Sequence, residues 1–269
     1  MVVQIGGAVA GASANSTPMT LLCDKDRPMK RSDRLARQGR QPSGWLGHIV
    51  GRIMARETHQ ANLVALDQLD LQPEDRLLEI GFGHGRTLAT AAKRITSGRL
   101  AGIDPSEVMM KIARGRNARA LRSGRMALAL GGSDRLPYPS GEFDKVLSVH
   151  TIYFWTAPER DLAEVHRVMA PGARLVIGYR PSEDLGFGRD FPATIYNIRS
   201  VAQIERLVGE AGFTDIVTLR RPHGAGLMAW TSARSKTSGA AGGASDTLML
   251  AGALASGQIQ GPVRQILGR

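Results

Sequence analysis

Glu79, Gly81, Gly83 and Gly85 occupy alternate positions in Leu77-Leu78-Glu79-Ile80-Gly81-Phe82-Gly83-His84-Gly85-Arg86. Glycine lets a backbone turn tightly and lets a ligand approach where a β-carbon would stand in the way. A carboxylate two residues ahead of the first glycine can attract an ammonium group while the glycines approach a thioether or sulfonium chain. The spacing therefore suits a cationic, phosphate-free ligand. The competing pattern is the G-x-G-x-x-G/A fingerprint of dinucleotide sites. It needs a small residue where Arg86 stands, and arginine there disturbs close helix–strand packing, although it could pair a phosphate. Asp104, 23 residues after Gly81, ends an apolar run at a point where an acid can accept both hydroxyls of a ribose. NAD and adenosyl ligands both need such an acid, so Asp104 does not discriminate. A plainer role as an acid at the helix start before Ser106 stays open.

A base is useful when an acceptor must lose a proton. The candidate is His150 in Ser148-Val-His-Thr-Ile-Tyr-Phe-Trp155, where a fourth strand ends. An ordinary imidazole titrates near neutral pH. His150 as a cofactor-pocket wall, or as a packed residue, is the alternative. Tyr153, Phe154 and Trp155 could wall the same pocket or face a cation. His84 is expected to shape the glycine loop, and His48 and His59 to be surface or cap residues. The amino-terminal helix that carries them, with Trp45, Ile49 and Met54, could instead cover a substrate pocket as a lid. No carboxylate pair or His cluster has metal-ligand spacing, so no metal site is expected. A single cysteine, Cys23, excludes an internal disulfide framework and a Cys-based zinc site.

The elements that must position these groups alternate. Apolar periodicity predicts a helix over Trp45–Leu71, then strands Arg76–Ile80, Arg99–Ile103, Met126–Leu130, Lys145–Val149 and Arg174–Tyr179. Helices are expected at Thr87–Ile95, Ser106–Arg122 with Ser106 as N-cap, Pro158–Met169 stopped by Pro171-Gly172, and Val201–Ala211. Asp215–Leu219 and Leu227–Trp230 follow with no helix between them, so they form a hairpin. The alternation implies an α/β fold with right-handed crossovers, a mostly parallel sheet and one antiparallel strand.

The chain resembles the class I S-adenosylmethionine-dependent methyltransferases, and most nearly their small-molecule, ubiquinone/menaquinone-biosynthesis-like group. The resemblance spans roughly Ser43 to Arg234. It rests on Glu79-Ile-Gly-Phe-Gly-His-Gly85, Gly102-Ile-Asp-Pro-Ser106, Leu136-Pro-Tyr138 with Phe143-Asp144, and Arg167-Val-Met-Ala-Pro-Gly172. It implies a Rossmann-like seven-stranded sheet in the order 3-2-1-4-5-7-6, strand seven antiparallel, with helices on both faces. It implies S-adenosyl-L-methionine as cofactor, its methionine end held by Glu79, Gly81, Gly83 and Gly85 and its ribose by Asp104. Many members carry an Asp that contacts the adenine amino group at the position of Gly132. Here Ser133, Asp134 or backbone groups must substitute.

The 269 residues carry 35 Lys+Arg against 24 Asp+Glu, a formal charge of +11. Residues 1–43 account for +4 and read as a flexible basic arm; residues 234–269 account for +3 and open as a linker. Residues 44–233, also +4, read as one methyltransferase domain. The series Arg114, Arg116, Arg119, Arg122 and Arg125 could bind phosphate or RNA, but reads first as a solvated helix face. No Asn/Asp-Pro-Pro-Tyr type motif follows the fourth strand, which further disfavours nucleic acid. No apolar run is long enough to span a membrane, and Met1–Ala10 lacks the charged start of a secretory signal, so a cytoplasmic protein is expected. The expected activity is methyl transfer to a small organic acceptor. The alternatives are a nucleic-acid or protein methyltransferase guided by basic ends, a nicotinamide-dependent oxidoreductase, and a non-catalytic nucleotide-binding protein of the same fold. Acceptor atom and oligomeric state are not legible in the residues.

Overall fold

The computed structural model describes residues 58–184, 186–187, 191–223 and 226–236. The expected arm, His48, Cys23 and the first half of the Trp45–Leu71 helix lie outside them. Seven strands form one sheet in the order β3-β2-β1-β4-β5-β7-β6. They are β1 (Arg76–Ile80), β2 (Arg99–Asp104), β3 (Met126–Leu130), β4 (Phe143–Val149), β5 (Met169–Tyr179), β6 (Phe213–His223) and β7 (Gly226–Ser235). The first five pair in parallel, and β7 runs antiparallel to both β5 and β6. The expected closing hairpin is thus present. β7 continues past the expected domain end at residue 233, with Arg234 paired to Arg174 and Thr214.

A parallel sheet is covered on both faces, so its central strands are apolar at successive positions. Leu77 faces one side with Leu147, Val176 and Trp230. There it meets α1 (His59–Leu69), α2 (Arg86–Arg94) and α3 (Glu107–Arg116) through Leu66, Leu88 and Met110. Leu78 faces the other side with Val146, Leu175 and Ile177, against α5 (Pro158–Val168) and α6 (Val201–Glu210) through Leu162, Val165, Ile204 and Val208. The buried Trp230 indole donates to the Ala61 carbonyl at 3.0 Å and pins α1 to the sheet.

Two sequence expectations change. The helix expected over Ser106–Arg122 breaks at Asn117 into α3 and a short α4 (Ala118–Arg122). Asn117 is buried, and its amide donates to the carbonyls of Gly85 and Ala113 at 3.0 Å each. It serves the glycine loop at the expense of a straight helix. The helix expected over Pro158–Met169 ends at Val168, and the strand expected from Arg174 begins at Met169, which already pairs with Phe143 before an irregularity that precedes Arg174. Ser106 is the N-cap of α3, accepting from Met109 N–H at 3.2 Å.

Candidate functional site

The carboxyl ends of β1 to β4 open onto one cavity of ≈ 380 Å³. It lies where the sheet's crossovers change face on either side of β1, the usual ligand crevice of a doubly wound sheet.

The β1 end supplies the glycine loop. All three glycines have positive φ, +74° at Gly81, +51° at Gly83 and +70° at Gly85. Their constraints differ. A β-carbon on Gly81 would stand 2.1 Å from Thr151 Cγ2, and one on Gly85 would stand 2.7 Å from Ala113 Cβ and Asn117 Nδ2. A β-carbon on Gly83 would meet nothing within 4 Å among the described residues. Gly81 and Gly83 line the cavity; Gly85 does not, and is instead the N-cap of α2. Of the three, Gly83 therefore offers close backbone approach, while Gly85 serves packing.

Glu79 is 4% exposed and also lines the cavity. The Thr87 hydroxyl and Leu88 N–H donate to its carboxylate, yet Oε2 has no hydrogen-bond partner among the described residues. Burial holds this carboxyl well above its ordinary range, and the neighbouring Asp104 pushes it the same way. An unpaired buried carboxylate oxygen is costly. A cation beside it would remove that cost.

Asp104 ends β2 and ties the loop to it. Its Oδ2 accepts from Gly83 N–H at 2.8 Å, and its Oδ1 from Ser106 N–H at 2.9 Å. Burial raises its pKa while these two bonds lower it. The helix-start role and a ligand role thus coexist, since each oxygen keeps a second acceptor site.

After β3, Ser133 and Asp134 both line the cavity. The Ser133 hydroxyl donates to Asp161 Oδ1 at 2.5 Å. Asp161, in the first turn of α5, is itself buried and lines the cavity. Burial pushes its pKa up, and Asp134 adds to the push. Sequence reasoning missed Asp161. An acid just after Pro158 reads as an ordinary helix-start charge, and nothing local signals a partner 28 residues away.

His150 follows β4 with φ +60°, an uncommon region for a residue with a side chain. Its N–H donates to the Gly178 carbonyl at 2.8 Å, and the residue lines the cavity. Phe154 and Trp155 line the cavity too, whereas Tyr153 stands behind His150, with Phe187 and Tyr196 on its other sides. The cation that meets this cluster is the protein's own. The Arg180 guanidinium lies 4.6 Å from the Phe187 ring centre and pairs with Asp184 at 2.6 Å.

His84 lines the cavity, but its Nδ1 accepts from Arg86 N–H at 3.1 Å and faces Arg116 Nη1 at 2.9 Å. Burial, then the charges of Arg116 and Arg86, hold its pKa down at about 4. It is a neutral loop-shaping residue. Arg125 likewise has a structural task, donating to the Ile95 and Thr96 carbonyls; Arg114, Arg119 and Arg122 are exposed. His59 is the first residue of α1, and Thr58 and Asn62 of that segment line the cavity, so the amino-terminal helix does reach it.

Among the described lining residues are four carboxylates, Glu79, Asp104, Asp134 and Asp161, and no lysine or arginine. A pyrophosphate would be repelled here, and a cationic ligand attracted. No described helix is long and apolar enough to cross a membrane.

Comparison with known proteins agrees with this fold. Residues 78–177 match the family model described as a methyltransferase domain. An uncharacterized methyltransferase of Bacillus subtilis, YdaC, is 33% identical over 135 residues, covering 50% of this chain and 72% of its own length. The demethylmenaquinone methyltransferase of Symbiobacterium thermophilum is 33% identical over 110 residues, covering 40% of this chain and 44% of that protein. The chain thus spans under half the length of that second relative. A crystal structure of a SAM-dependent methyltransferase from Thermotoga maritima, described as a possible histamine N-methyltransferase, superposes with a TM-score of 0.54 at 25% identity. It covers 68% of this chain and 92% of that one.

Proposed function

Because the chain belongs to the class I S-adenosylmethionine-dependent methyltransferase family, we propose that it moves the methyl group of S-adenosyl-L-methionine to a small organic acceptor at the cavity beside the glycine loop. The observation that carries the reading is the unpartnered Glu79 Oε2, buried in an acidic wall next to a glycine open to the cavity. A sulfonium-bearing amino acid carries the charge this wall lacks. The residues fit that cofactor.

In this reading Glu79 attracts the cationic methionine end, Gly83 lets the chain pass close to the backbone, and Gly81 lets the loop pack against Thr151. Gly85 acts through the loop's shape. Asp104 takes the ribose hydroxyls on its remaining acceptor sites. Ser133 and Asp134 stand at the adenine end, with Asp161 holding Ser133. His150, Phe154 and Trp155 wall the reacting end. When bound, the cofactor supplies a methyl already activated by its sulfonium. The protein's part is then mostly to hold the two reactants in line and exclude water.

A small acceptor is supported by relatives whose names denote such substrates, demethylmenaquinone and histamine. The acidic wall counts against a nicotinamide dinucleotide. Titration calorimetry with S-adenosylhomocysteine and with NADH tests the reading. Binding of the first alone is expected; tight NADH binding without it would overturn the assignment. Screening acceptor pools for release of S-adenosylhomocysteine then identifies the acceptor. Salt-sensitive RNA binding that survives removal of both basic ends would instead favour a nucleic-acid substrate.

A further inference from the structure

Among the described residues, the Tyr153 hydroxyl has two hydrogen-bond partners, the Arg180 backbone N–H at 2.5 Å and His150 Nδ1 at 3.3 Å. The phenol is 2% exposed, and burial raises its pKa far above the ordinary value, so it keeps its proton. A backbone N–H only donates. Arg180 therefore occupies a lone pair of the phenol oxygen and leaves its proton needing an acceptor. Of the two partners, only His150 Nδ1 can accept. The opposite arrangement, with Nδ1–H donating to the phenol, would strand a buried O–H.

We infer that Tyr153 fixes the tautomer of His150, so that the neutral ring carries its proton on Nε2 and presents an N–H, not a lone pair, away from Tyr153. His150 lines the cavity and Tyr153 does not. The ring is further held by its backbone, through the left-handed φ of His150 and its N–H bond to Gly178. Tyr153 is a positioning residue. His150 is a hydrogen-bond donor in this arrangement and does not remove a proton from the acceptor. If the cavity performs methyl transfer as proposed above, the acceptor class it suits does not have to lose a proton to this ring. Such an acceptor reaches the site as a ready nucleophile, needing no base from this residue.

The tautomer is readable without cofactor or turnover, so this inference can fail while the methyltransferase reading stands, and the reverse. The experiment is ¹⁵N–¹H correlation of the histidine rings in the full chain at alkaline pH, with the His150 signals assigned by their loss in His150→Gln. Nδ1 is expected unprotonated and Nε2 protonated in the wild type. Tyr153→Phe, which keeps the ring and removes the hydroxyl, is expected to give a mixture of tautomers. Tyr179→Phe removes another buried phenol, one bonded to Thr231, and is expected to leave the His150 signals unchanged. A protonated Nδ1 in the wild type would overturn the inference with no variant needed. So would a His150 pattern that Tyr153→Phe does not alter.

Discussion

Asp134 Oδ1 lies 2.8 Å from the point that a β-carbon on Gly132 would occupy. A side chain at 132 would meet the carboxylate at 134, which would have to turn aside. The glycine that departs from the family pattern is thus the residue that makes room for an acid two positions later. In the proposed site this acid takes over at the adenine end. Asp134→Ala is expected to weaken S-adenosylhomocysteine binding about tenfold or more, the ordinary worth of a hydrogen bond to a charged group. Adding Gly132→Asp to that variant is expected to restore part of the loss. Calorimetry on the single and double variants checks both; an unchanged affinity in Asp134→Ala would remove Asp134 from the site.

Gly83 and Gly81 separate ligand approach from packing. Gly83→Leu places a side chain into open space, so the expected stability cost is the strain at positive φ, about 1 kcal/mol. Its effect on S-adenosylhomocysteine is expected to be near-complete loss of binding. Gly81→Ala drives a β-carbon into Thr151 and is expected to destabilise the fold by about 1–3 kcal/mol. Thermal melts with and without ligand distinguish the two. Undiminished affinity in Gly83→Leu would refute the loop assignment.

Glu79 predicts a pH dependence. Burial raises its folded-state pKa above the unfolded value, ~4.3 for an ordinary glutamate. The folded protein therefore holds this proton more tightly than the unfolded chain does. Its contribution to stability is complete below the unfolded pKa and is lost as pH rises through the raised folded value. Above that value, the ligand-free protein bears a buried charge with an unpaired oxygen. Glu79→Gln is expected to raise the melting temperature at neutral pH and above, to flatten this part of the pH profile, and to weaken S-adenosylhomocysteine binding. Because Asp75, Asp104 and Asp161 are raised as well, the quantity to read is the difference between wild type and variant across pH. Coincident profiles would show that Glu79 carries no such penalty.

The residue order by itself determined the strands and the closing hairpin, while the order of strands in the sheet came from the family resemblance. Arg76–Ile80 and Met126–Leu130 are legible to the residue because short apolar runs bounded by turns have few other uses. The missing helix between the last two strands required a hairpin, and with it the antiparallel strand. The placement of Glu79, the glycine run and Asp104 was legible as well, since each lies within a few residues of a strand end. Tertiary structure decided what those residues touch. The break at Asn117 depends on Gly85, 32 residues away, and the burial of Asp161 depends on Ser133, 28 residues away. Tyr153 faces His150 only because the turn after β4 folds beneath β5, where Arg180 takes the other side of the phenol. Periodicity records which face of a segment is buried. It does not record which polar atoms meet once crossovers bring distant strand ends together. At that level the cavity acquires its fourth carboxylate, its single open glycine and the orientation of its histidine.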